Sequence, residues 1–307
     1  MTQFNARHFL KSFFKKIPLL SHRSITKKEK TRKEKVFSLL DSAGIGLEIG
    51  PSHNPIAPKR EGYKVHILDH ASAEELKEKY KLHNVNLENI EVVDFVSRGE
   101  PYAELIGTEN YYDWIICSHA IEHMPDPIMF LQECEKILKP GGVLSLVIPD
   151  KRRCFDYFSP ISQTGALLDA FYSKRKSPTI GQIFDHFANA AKFADSIAWN
   201  SDLSIPDGLV HGIEEARNCV DRNSSGGEYF DVHCWRFIPQ SFRLIMDDLY
   251  FLKLIKLRIE LEFPTEGCEF FVSLRNANHE NNDPIPTIAS DNNQRIHALK
   301  SVHRELR

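Results

Sequence analysis

The chain has 307 residues and a net charge of −3, and 42% of its residues are hydrophobic and 26% charged. This length accommodates one large domain or a domain with a sizeable insertion, and the composition is typical of a soluble globular protein. No run of eighteen apolar residues is present, so no transmembrane helix is predicted. The six cysteines are scattered without a CxxC pair, which favours free thiols in a reducing compartment over disulfides or a zinc site.

The first 35 residues differ in charge from the rest of the chain. Residues 1–36 carry eleven Lys and Arg against two Glu, and the remainder is acidic, which argues against nucleic acid as a partner. The segment FLKSFFKKIPLL places aromatic and aliphatic residues between lysines, a pattern that fits either a membrane-surface helix or a solvated terminus. We predict that residues 1–35 form a basic arm, and that the protein is cytoplasmic, either free or peripheral at the inner face of a membrane.

From residue 45 onwards, apolar strand-like segments alternate with helical ones. Five strands are predicted at IGLEIG, KVHILDH, NIEVVDF, YYDWIICSHA and GVLSLVIPD. NIEVVDF is predicted to place Asp94 at its carboxyl end. Ser72 and Glu75 form a capping box at the start of a helix, and Asp126 and Pro127 start another, which KPGG ends. Near-continuous apolar strands separated by helices predict a parallel sheet with right-handed crossovers.

The alternation stops over residues 151–235, which we interpret as an inserted helical and loop segment forming a lid or substrate wall. It returns with the helix IPQSFRLIMDDLYF and two strands, LKLIKLRIELEF and CEFFVSLRN, whose short link PTEG requires them to be antiparallel. The polar residues 277–307 are predicted to be a loose tail. The fold class is therefore α/β, a Rossmann-like open sandwich with a mostly parallel seven-stranded sheet and an antiparallel final strand.

Ligands of open parallel sheets bind outside the carboxyl ends of the strands. Those ends carry Glu48, Gly50, Asp69, Asp94, Ser118, His119 and Asp150. The sequence has no GxxxxGK[ST] motif, which excludes a P-loop. Asp69 lies nineteen residues after Gly50, where a carboxylate suits ribose hydroxyls and repels phosphate. We therefore expect a nucleoside ligand with a neutral or cationic appendage.

These motifs bring a family into view. LEIGP, VHILDH, VVDF, DWIICSHAIEHMPDP and ILKPGGVLSLVIPD, with the closing antiparallel pair, resemble the class I S-adenosylmethionine-dependent methyltransferases. The resemblance covers roughly residues 36–158 and 236–276, and the chain looks closest to bacterial members that act on small molecules or cell-surface glycans. It implies S-adenosylmethionine as the cofactor and a methyltransferase domain over residues 36–276.

The resemblance also implies roles for individual residues. Glu48 and Gly50 would face the methionine part, Asp69 the ribose hydroxyls and Asp94 the adenine amino group, and Ser118 and His119 would flank the methyl-transfer site. The first loop departs from the family, because only fourteen residues, three of them prolines, separate Gly50 from Val65. We expect a loop or a single turn there instead of a helix. Ser52, His53 and Asn54 are candidates for cofactor contact, and turn chemistry is the alternative for His53 and Asn54.

Methyl transfer to a hydroxyl requires alignment of the acceptor, exclusion of water and removal of a proton. The candidate bases are His119, His123, Asp150 and His186, with a structural role as the alternative for each histidine. DVHCWRF adds Asp231, His233 and Arg236 at the exit of the inserted segment. No metal is required in principle, and no metal-ligand cluster is evident from the spacing.

The fourth strand lacks the Asn/Asp-Pro-Pro-aromatic signature of methyltransferases that act on amides or nucleobases. We therefore expect an O-methyltransferase for a sugar or glycan-like acceptor. The alternatives are a methyltransferase for a small soluble metabolite and a catalytically silent cofactor-binding module that interacts with other proteins. A nicotinamide-dependent oxidoreductase is disfavoured, because the glycine loop that binds a diphosphate is absent.

Overall fold

The computed structural model describes residues 30–200, 205–277 and 288–306. The main sheet contains β1 (Gly46–Ile49), β2 (Val65–Asp69), β3 (Phe95–Val96), β4 (Tyr112–Ser118), β5 (Leu138–Pro149), β8 (Leu257–Glu266) and β9 (Glu269–Asn276). Their spatial order is β3-β2-β1-β4-β5-β9-β8. Strands β1 to β5 pair in parallel, whereas β9, the last strand in the chain, runs antiparallel to both β5 and β8. The predicted mostly parallel seven-stranded sheet with an antiparallel final strand is confirmed.

Helices flank this sheet and fill the inserted segment. They are α1 (Arg32–Val36), α2 (Ala73–Tyr80), α3 (Tyr102–Ile106), α4 (Pro127–Ile137), α5 (Thr164–Tyr172), α6 (Ile180–Asn189), α7 (Ile213–Gly226), α8 (Pro239–Phe251) and α9 (Asn292–Glu305). The predicted capping box of Ser72 and Glu75 is present. Asp126 caps α4 by accepting a hydrogen bond from the N–H of Met129, and Pro127 is its first residue. None of the helices in the described ranges is long and apolar enough to cross a membrane.

Strand β4 lies at the centre of the sheet and is buried on both faces. Alternate residues point to opposite faces, so Ile115 and Cys117 join the larger apolar cluster while Trp114 and Ile116 join the smaller one. Trp114 is fully buried, and its ring lies directly over Gly46 of the neighbouring β1. The sheet therefore depends on the absence of a side chain at Gly46.

The predicted third strand is wrong in position. Asp94 was expected at its carboxyl end, but β3 begins only after it, at Phe95. The residues before Asp94 are held differently, because the Glu91 carboxylate accepts a hydrogen bond from the N–H of Lys59 at 2.7 Å and Val92 is 71% exposed. This segment therefore anchors the turn around Lys59 instead of extending the sheet.

The boundary of the predicted basic arm is also corrected. Residues 31–35 belong to the folded domain, since Thr31 caps α1 and Lys35 forms an ion pair with Glu266. Val36 follows directly and is fully buried in the smaller core cluster. Residues 1–29, including the segment predicted to lie on a membrane surface or in solvent, are outside the described residues.

The tail predicted to be loose contains a helix. Asp291 caps α9 by accepting hydrogen bonds from the N–H groups of Asn293 and Gln294. Arg295 of α9 forms an ion pair with Asp248 of α8, and Leu299 helps to line a cavity against α8. The polar composition concealed this helix, because its contacts with α8 come from few residues. Residues 278–287 lie outside the described ranges.

The insertion between β5 and α8 contains α5, α6 and α7 and a small antiparallel sheet of β6 (Ala191–Lys192) and β7 (Gly208–Leu209). Helix α6 packs against α7, and Ile183 of α6 is fully buried. The chain then returns to α8 through residues 229–236, which lie against the turn that follows β4. This return segment is important for the site described below.

Gly46→Ala is expected to lower the free energy of unfolding by about 3 kcal/mol, because its Cβ would overlap the Trp114 ring in a core that cannot expand. Gly165→Ala is the matched control. Gly165 lies in α5 with open space around it, so alanine there should be neutral or stabilising by up to about 1 kcal/mol. Chemical denaturation of both variants tests this, and equal stabilities would contradict it.

Candidate active site

The loop after β1 is shaped by the buried carboxylate of Glu48. Its Oε1 accepts a hydrogen bond from the N–H of Ile56 at 2.7 Å, and its Oε2 accepts one from the N–H of Ala57 at 3.0 Å. Burial raises the pKa of Glu48 to about 7, although both hydrogen bonds oppose the shift. Glu48, which the resemblance placed near the methionine part of the cofactor, thus holds its own loop in place.

Gly50 and Asp69 lie side by side at the carboxyl ends of β1 and β2. Gly50 has a φ of +65°, and a Cβ at this position would contact only the Cβ of Ala120, at 3.8 Å. The buried Asp69 accepts hydrogen bonds from the N–H of Ser52 at 3.1 Å and the N–H of His70 at 2.7 Å. A ligand can therefore approach the backbone at Gly50 with a fixed carboxylate beside it.

The other predicted residues of the first loop form a turn, as expected for this short connection. Ser52 has a φ of +51°, and the N–H of Asn54 donates to the carbonyl of Pro51 at 2.9 Å. The His53 ring packs against Tyr80 of α2, with ring centroids 4.8 Å apart. His53 thus lies between the loop and α2, while Asn54 is exposed to solvent.

Asp94 does not reach the carboxyl edge of the sheet. Its carboxylate accepts hydrogen bonds from the N–H of Ile67 at 2.7 Å and from Nζ of Lys59 at 2.6 Å. Ile67 lies two residues before Asp69 on β2, so Asp94 is set back from the strand end. The structure therefore does not bring Asp94 together with Gly50 and Asp69.

The end of β4 gathers residues from both ends of the chain. Nε2 of His119 lies 2.8 Å from the Glu269 carboxylate, which also accepts a hydrogen bond from Nε of Arg32 at 2.6 Å. Arg32 in turn donates from Nη2 to the hydroxyl of Ser118 at 2.9 Å. Sequence reasoning missed Arg32 and Glu269, since neither is near His119 in the sequence and neither belongs to a motif.

Glu122 is fully buried one turn beyond His119. Neither oxygen of its carboxylate has a hydrogen-bond partner among the described residues. Nδ1 of His119 and Nε2 of His233 each lie 3.9 Å from Oε1 of this carboxylate. The backbone carbonyl of Glu122 accepts hydrogen bonds from the N–H groups of Cys234 and Trp235, at 2.8 and 3.1 Å. These bonds bring the return segment, including His233, to the end of β4.

Two histidines near Glu122 are each bonded to an aspartate. Nδ1 of His123 lies 2.8 Å from Asp231, and although burial opposes protonation, this hydrogen bond raises the pKa of His123. The same bond lowers the pKa of Asp231 to about 2. Nδ1 of His233 lies 2.6 Å from the buried Asp156. Burial would raise the pKa of Asp156, but the charge and hydrogen bond of His233 outweigh it and hold that pKa at about 2.

The other two candidate bases have structural roles. Asp150 is fully buried, and its carboxylate pairs with Arg152 and accepts a hydrogen bond from the hydroxyl of Thr265 at 2.6 Å. Nδ1 of His186 accepts a hydrogen bond from the N–H of His233 at 3.2 Å. Burial, followed by the charge of His233, lowers the pKa of His186 to about 3. His186 therefore stays neutral and positions the backbone of His233.

Comparison with known proteins shows the family of this chain. Residues 22–210, more than half of the chain, match a family model described as a methyltransferase domain. The chain belongs to this family. Together with the sheet order, the match identifies a class I methyltransferase that uses S-adenosylmethionine.

Similar proteins carry related names. The methyltransferase is 30% identical over 183 residues to a ubiquinone biosynthesis O-methyltransferase of Xanthomonas oryzae pv. oryzae, an alignment that covers 57% of this chain and 70% of that protein. A ubiquinone biosynthesis O-methyltransferase of Histophilus somni is 29% identical over 123 residues, or 38% of this chain and 40% of that protein. A solved structure from Thermotoga maritima, titled a SAM-dependent methyltransferase and possible histamine N-methyltransferase, aligns at 15% identity over 80% of this chain and 86% of that chain, with a TM-score of 0.39.

The raised pKa of Glu48 predicts a pH dependence of stability. Between pH about 4.5 and 7 the folded methyltransferase keeps a proton on Glu48 that the unfolded chain loses, so this group lowers the free energy of unfolding as pH rises. Glu48→Gln has the same size and does not titrate. Relative to this variant, the wild type should lose up to about 3 kcal/mol over that pH range. Urea denaturation at several pH values measures this, and parallel pH profiles would contradict it.

Proposed function

We propose that the methyltransferase transfers a methyl group to a hydroxyl of a small-molecule acceptor. The observation that carries this proposal is the polar cluster at the end of β4, where His119, His123 and His233 lie around the buried Glu122. The cluster lies next to the proposed cofactor site at Gly50. Ala120 follows His119 directly, and a Cβ at Gly50 would lie 3.8 Å from the Cβ of Ala120. A cluster of imidazoles and carboxylates suits the binding and deprotonation of a hydroxyl. The names of the curated relatives, which are O-methyltransferases, support the same chemistry.

The residues at the edge of the sheet fit S-adenosylmethionine. The cofactor supplies a methyl group that is activated by a sulfonium. The open side of Gly50 admits the ligand to the backbone, and the buried Asp69 offers its carboxylate to the ribose hydroxyls. Ser52 fixes the position of Asp69 through its N–H, so this carboxylate is oriented before the ligand binds.

On the acceptor side, the residues of the β4 end receive the hydroxyl. The acceptor oxygen forms a bond to the methyl carbon, while the electrons of the carbon–sulfur bond pass to sulfur. Glu269 holds Nε2 of His119 and leaves Nδ1 to receive the hydroxyl proton. Arg32 holds Glu269 and Ser118 together and thereby keeps the imidazole in place. His119 is thus the proposed base, and Arg32 is a positioning residue.

A sugar or glycan-like unit is the acceptor class that we favour over other small metabolites. The support comes from the insertion, which exposes several aromatic side chains that can pack against the apolar faces of a sugar ring. These are Phe158, Tyr172, Phe184 and Tyr229. A small soluble metabolite with a hydroxyl group is the alternative, and the proposed proton transfer to His119 is the same for both.

Asp69→Ala should weaken the binding of S-adenosylmethionine by about 10- to 100-fold, since it removes two charge-assisted hydrogen bonds to the ribose. Isothermal titration measures the affinity, and thermal melting reports whether the variant remains folded. Asp221→Ala is the control, because Asp221 lies on the exposed side of α7, where it contacts Arg217. If a folded Asp69→Ala protein binds the cofactor as tightly as the wild type, the role of Asp69 is refuted.

Transfer of labelled methyl to panels of sugars, glycans and small hydroxylated metabolites should yield methyl ethers, with the sugar panel labelled most. The product linkage is determined by mass spectrometry. His119→Ala should lower kcat by about 100-fold or more with little change in cofactor affinity, because proton transfer is lost and the cofactor edge is intact. Label found only on nitrogen or carbon would contradict the proposal, and label confined to the metabolite panel would select the alternative acceptor class.

A further inference from the structure

Glu122, His123 and His233 form a group of potential metal ligands. One donor atom from each residue lies within 4.8 Å of the donor atoms of the other two. The rings of His123 and His233 are 4.6 Å apart, and Nε2 of His233 lies 3.9 Å from the Glu122 carboxylate. No metal site was expected from the sequence, because His233 lies 110 residues after His123 and no spacing motif links them.

The Glu122 carboxylate lacks a partner for its charge. It is fully buried, and neither oxygen receives a hydrogen bond from the part of the chain that the structure describes. A buried carboxylate without compensation costs several kcal/mol, so proteins pair such groups or use them to bind metals. Within residues 30–200, 205–277 and 288–306, no serine or backbone donor forms a hydrogen bond with it, and the imidazoles of His119 and His233 each lie 3.9 Å away. This spacing leaves room for an ion between the carboxylate and the rings.

The two histidines are oriented as metal-binding histidines are. Asp231 holds Nδ1 of His123, and Asp156 holds Nδ1 of His233. A carboxylate that accepts a hydrogen bond from Nδ1–H fixes the tautomer that leaves the Nε2 lone pair free for a metal. Asp156 is itself held by Arg236 at 3.2 Å, and His186 fixes the backbone of His233. Both rings therefore have the outer support that is typical of metal sites.

The charge of the cluster also matches a dication. Glu122, Asp156 and Asp231 contribute three negative charges, and Arg236 balances one of them through its contact with Asp156. A metal binds imidazole only in its neutral form, so protons on these histidines leave when the ion binds, and two negative charges then remain. A divalent ion would neutralise them next to the fully buried Glu122, where neutralisation is most favourable, although Asp231 itself is exposed.

We infer that Glu122, His123 and His233 bind a divalent transition-metal ion of the kind that prefers two imidazoles and one carboxylate, with Zn²⁺ as the representative ion. Three protein ligands leave coordination positions open. His119 lies beside the cluster, with its Nδ1 3.9 Å from the Glu122 carboxylate. Resting on the proposed function, the role of the ion is to bind the acceptor oxygen and lower its proton affinity, so that the hydroxyl proton passes to His119 and the oxygen attacks the methyl carbon.

Metal binding is tested on the full chain after treatment with a chelator and dialysis. Zn²⁺ is titrated by calorimetry and Co²⁺ by its visible absorption, and each should bind with one ion per chain. Glu122→Gln removes the carboxylate charge without changing the size of the side chain, and His233→Ala removes one imidazole. Each should weaken Zn²⁺ binding by at least about 100-fold, more than the 10- to 100-fold expected for loss of the outer aspartate in Asp156→Asn.

His211→Ala is the matched control. His211 is also a histidine bonded to a carboxylate, with Nδ1 3.0 Å from Glu215 on α7, but it is not part of the cluster. Zn²⁺ affinity should be unchanged in this variant. Zn²⁺ should raise the Tm of the wild type and the control but not that of Glu122→Gln. Binding of S-adenosylmethionine by each variant shows that the fold is intact.

A wild type that binds neither ion at millimolar concentration overturns the inference, as does Zn²⁺ affinity that persists in both ligand variants. A methyltransferase that keeps its full rate after complete metal removal overturns the catalytic role of the ion. These outcomes are distinct from failure of the proposed function. If the chain binds S-adenosylmethionine and one Zn²⁺ but methylates no hydroxyl acceptor, the proposed function fails while the metal site is supported.

Discussion

The architecture of the site depends on one backbone contact. The carbonyl of Glu122 accepts hydrogen bonds from both Cys234 and Trp235, and the indole N–H of Trp235 donates to the carbonyl of Met124 at 2.6 Å. Backbone groups that are buried must be paired, so the return segment of the insertion is held against the turn after β4. This contact places His233 opposite the Glu122 side chain, so the insertion of about eighty residues contributes a residue to the proposed site.

Carboxylates hold the loop on the opposite side of the site, where the cofactor is proposed to bind. Both oxygens of Glu48 accept hydrogen bonds from the loop that follows β1, and Asp69 is oriented by the N–H of Ser52. The first loop is too short and too rich in proline to form a crossover helix. Its backbone N–H groups therefore donate to these carboxylates instead of to carbonyls within a helix. These hydrogen bonds hold the loop in place, so the space beside Gly50 stays open.

Short sequence motifs correctly predicted the elements that are stabilised by contacts between neighbouring residues. The box of Ser72 and Glu75 and the pair of Asp126 and Pro127 mark helix starts within four residues, and both are found where expected. The prediction was wrong where a distant partner decided the outcome. The Glu91 carboxylate accepts a hydrogen bond from the N–H of Lys59, and its segment does not form the predicted strand. The helix in the predicted tail is held by an ion pair between Arg295 and Asp248.

The sequence by itself determined the sheet, the position of Gly50 and Asp69 at its carboxyl edge, and the candidacy of His119 and His123, because apolar periodicity and strand-end motifs act over short distances. Only the tertiary structure decided that Asp94 is set back, that Asp150 and His186 are structural, and that Arg32 and Glu269 hold the end of β4. It alone also brought His233 to Glu122. The physical reason is that these contacts join segments about a hundred residues apart in the chain. Burial, charge pairing and backbone hydrogen bonds between such segments produce no periodic pattern in the sequence.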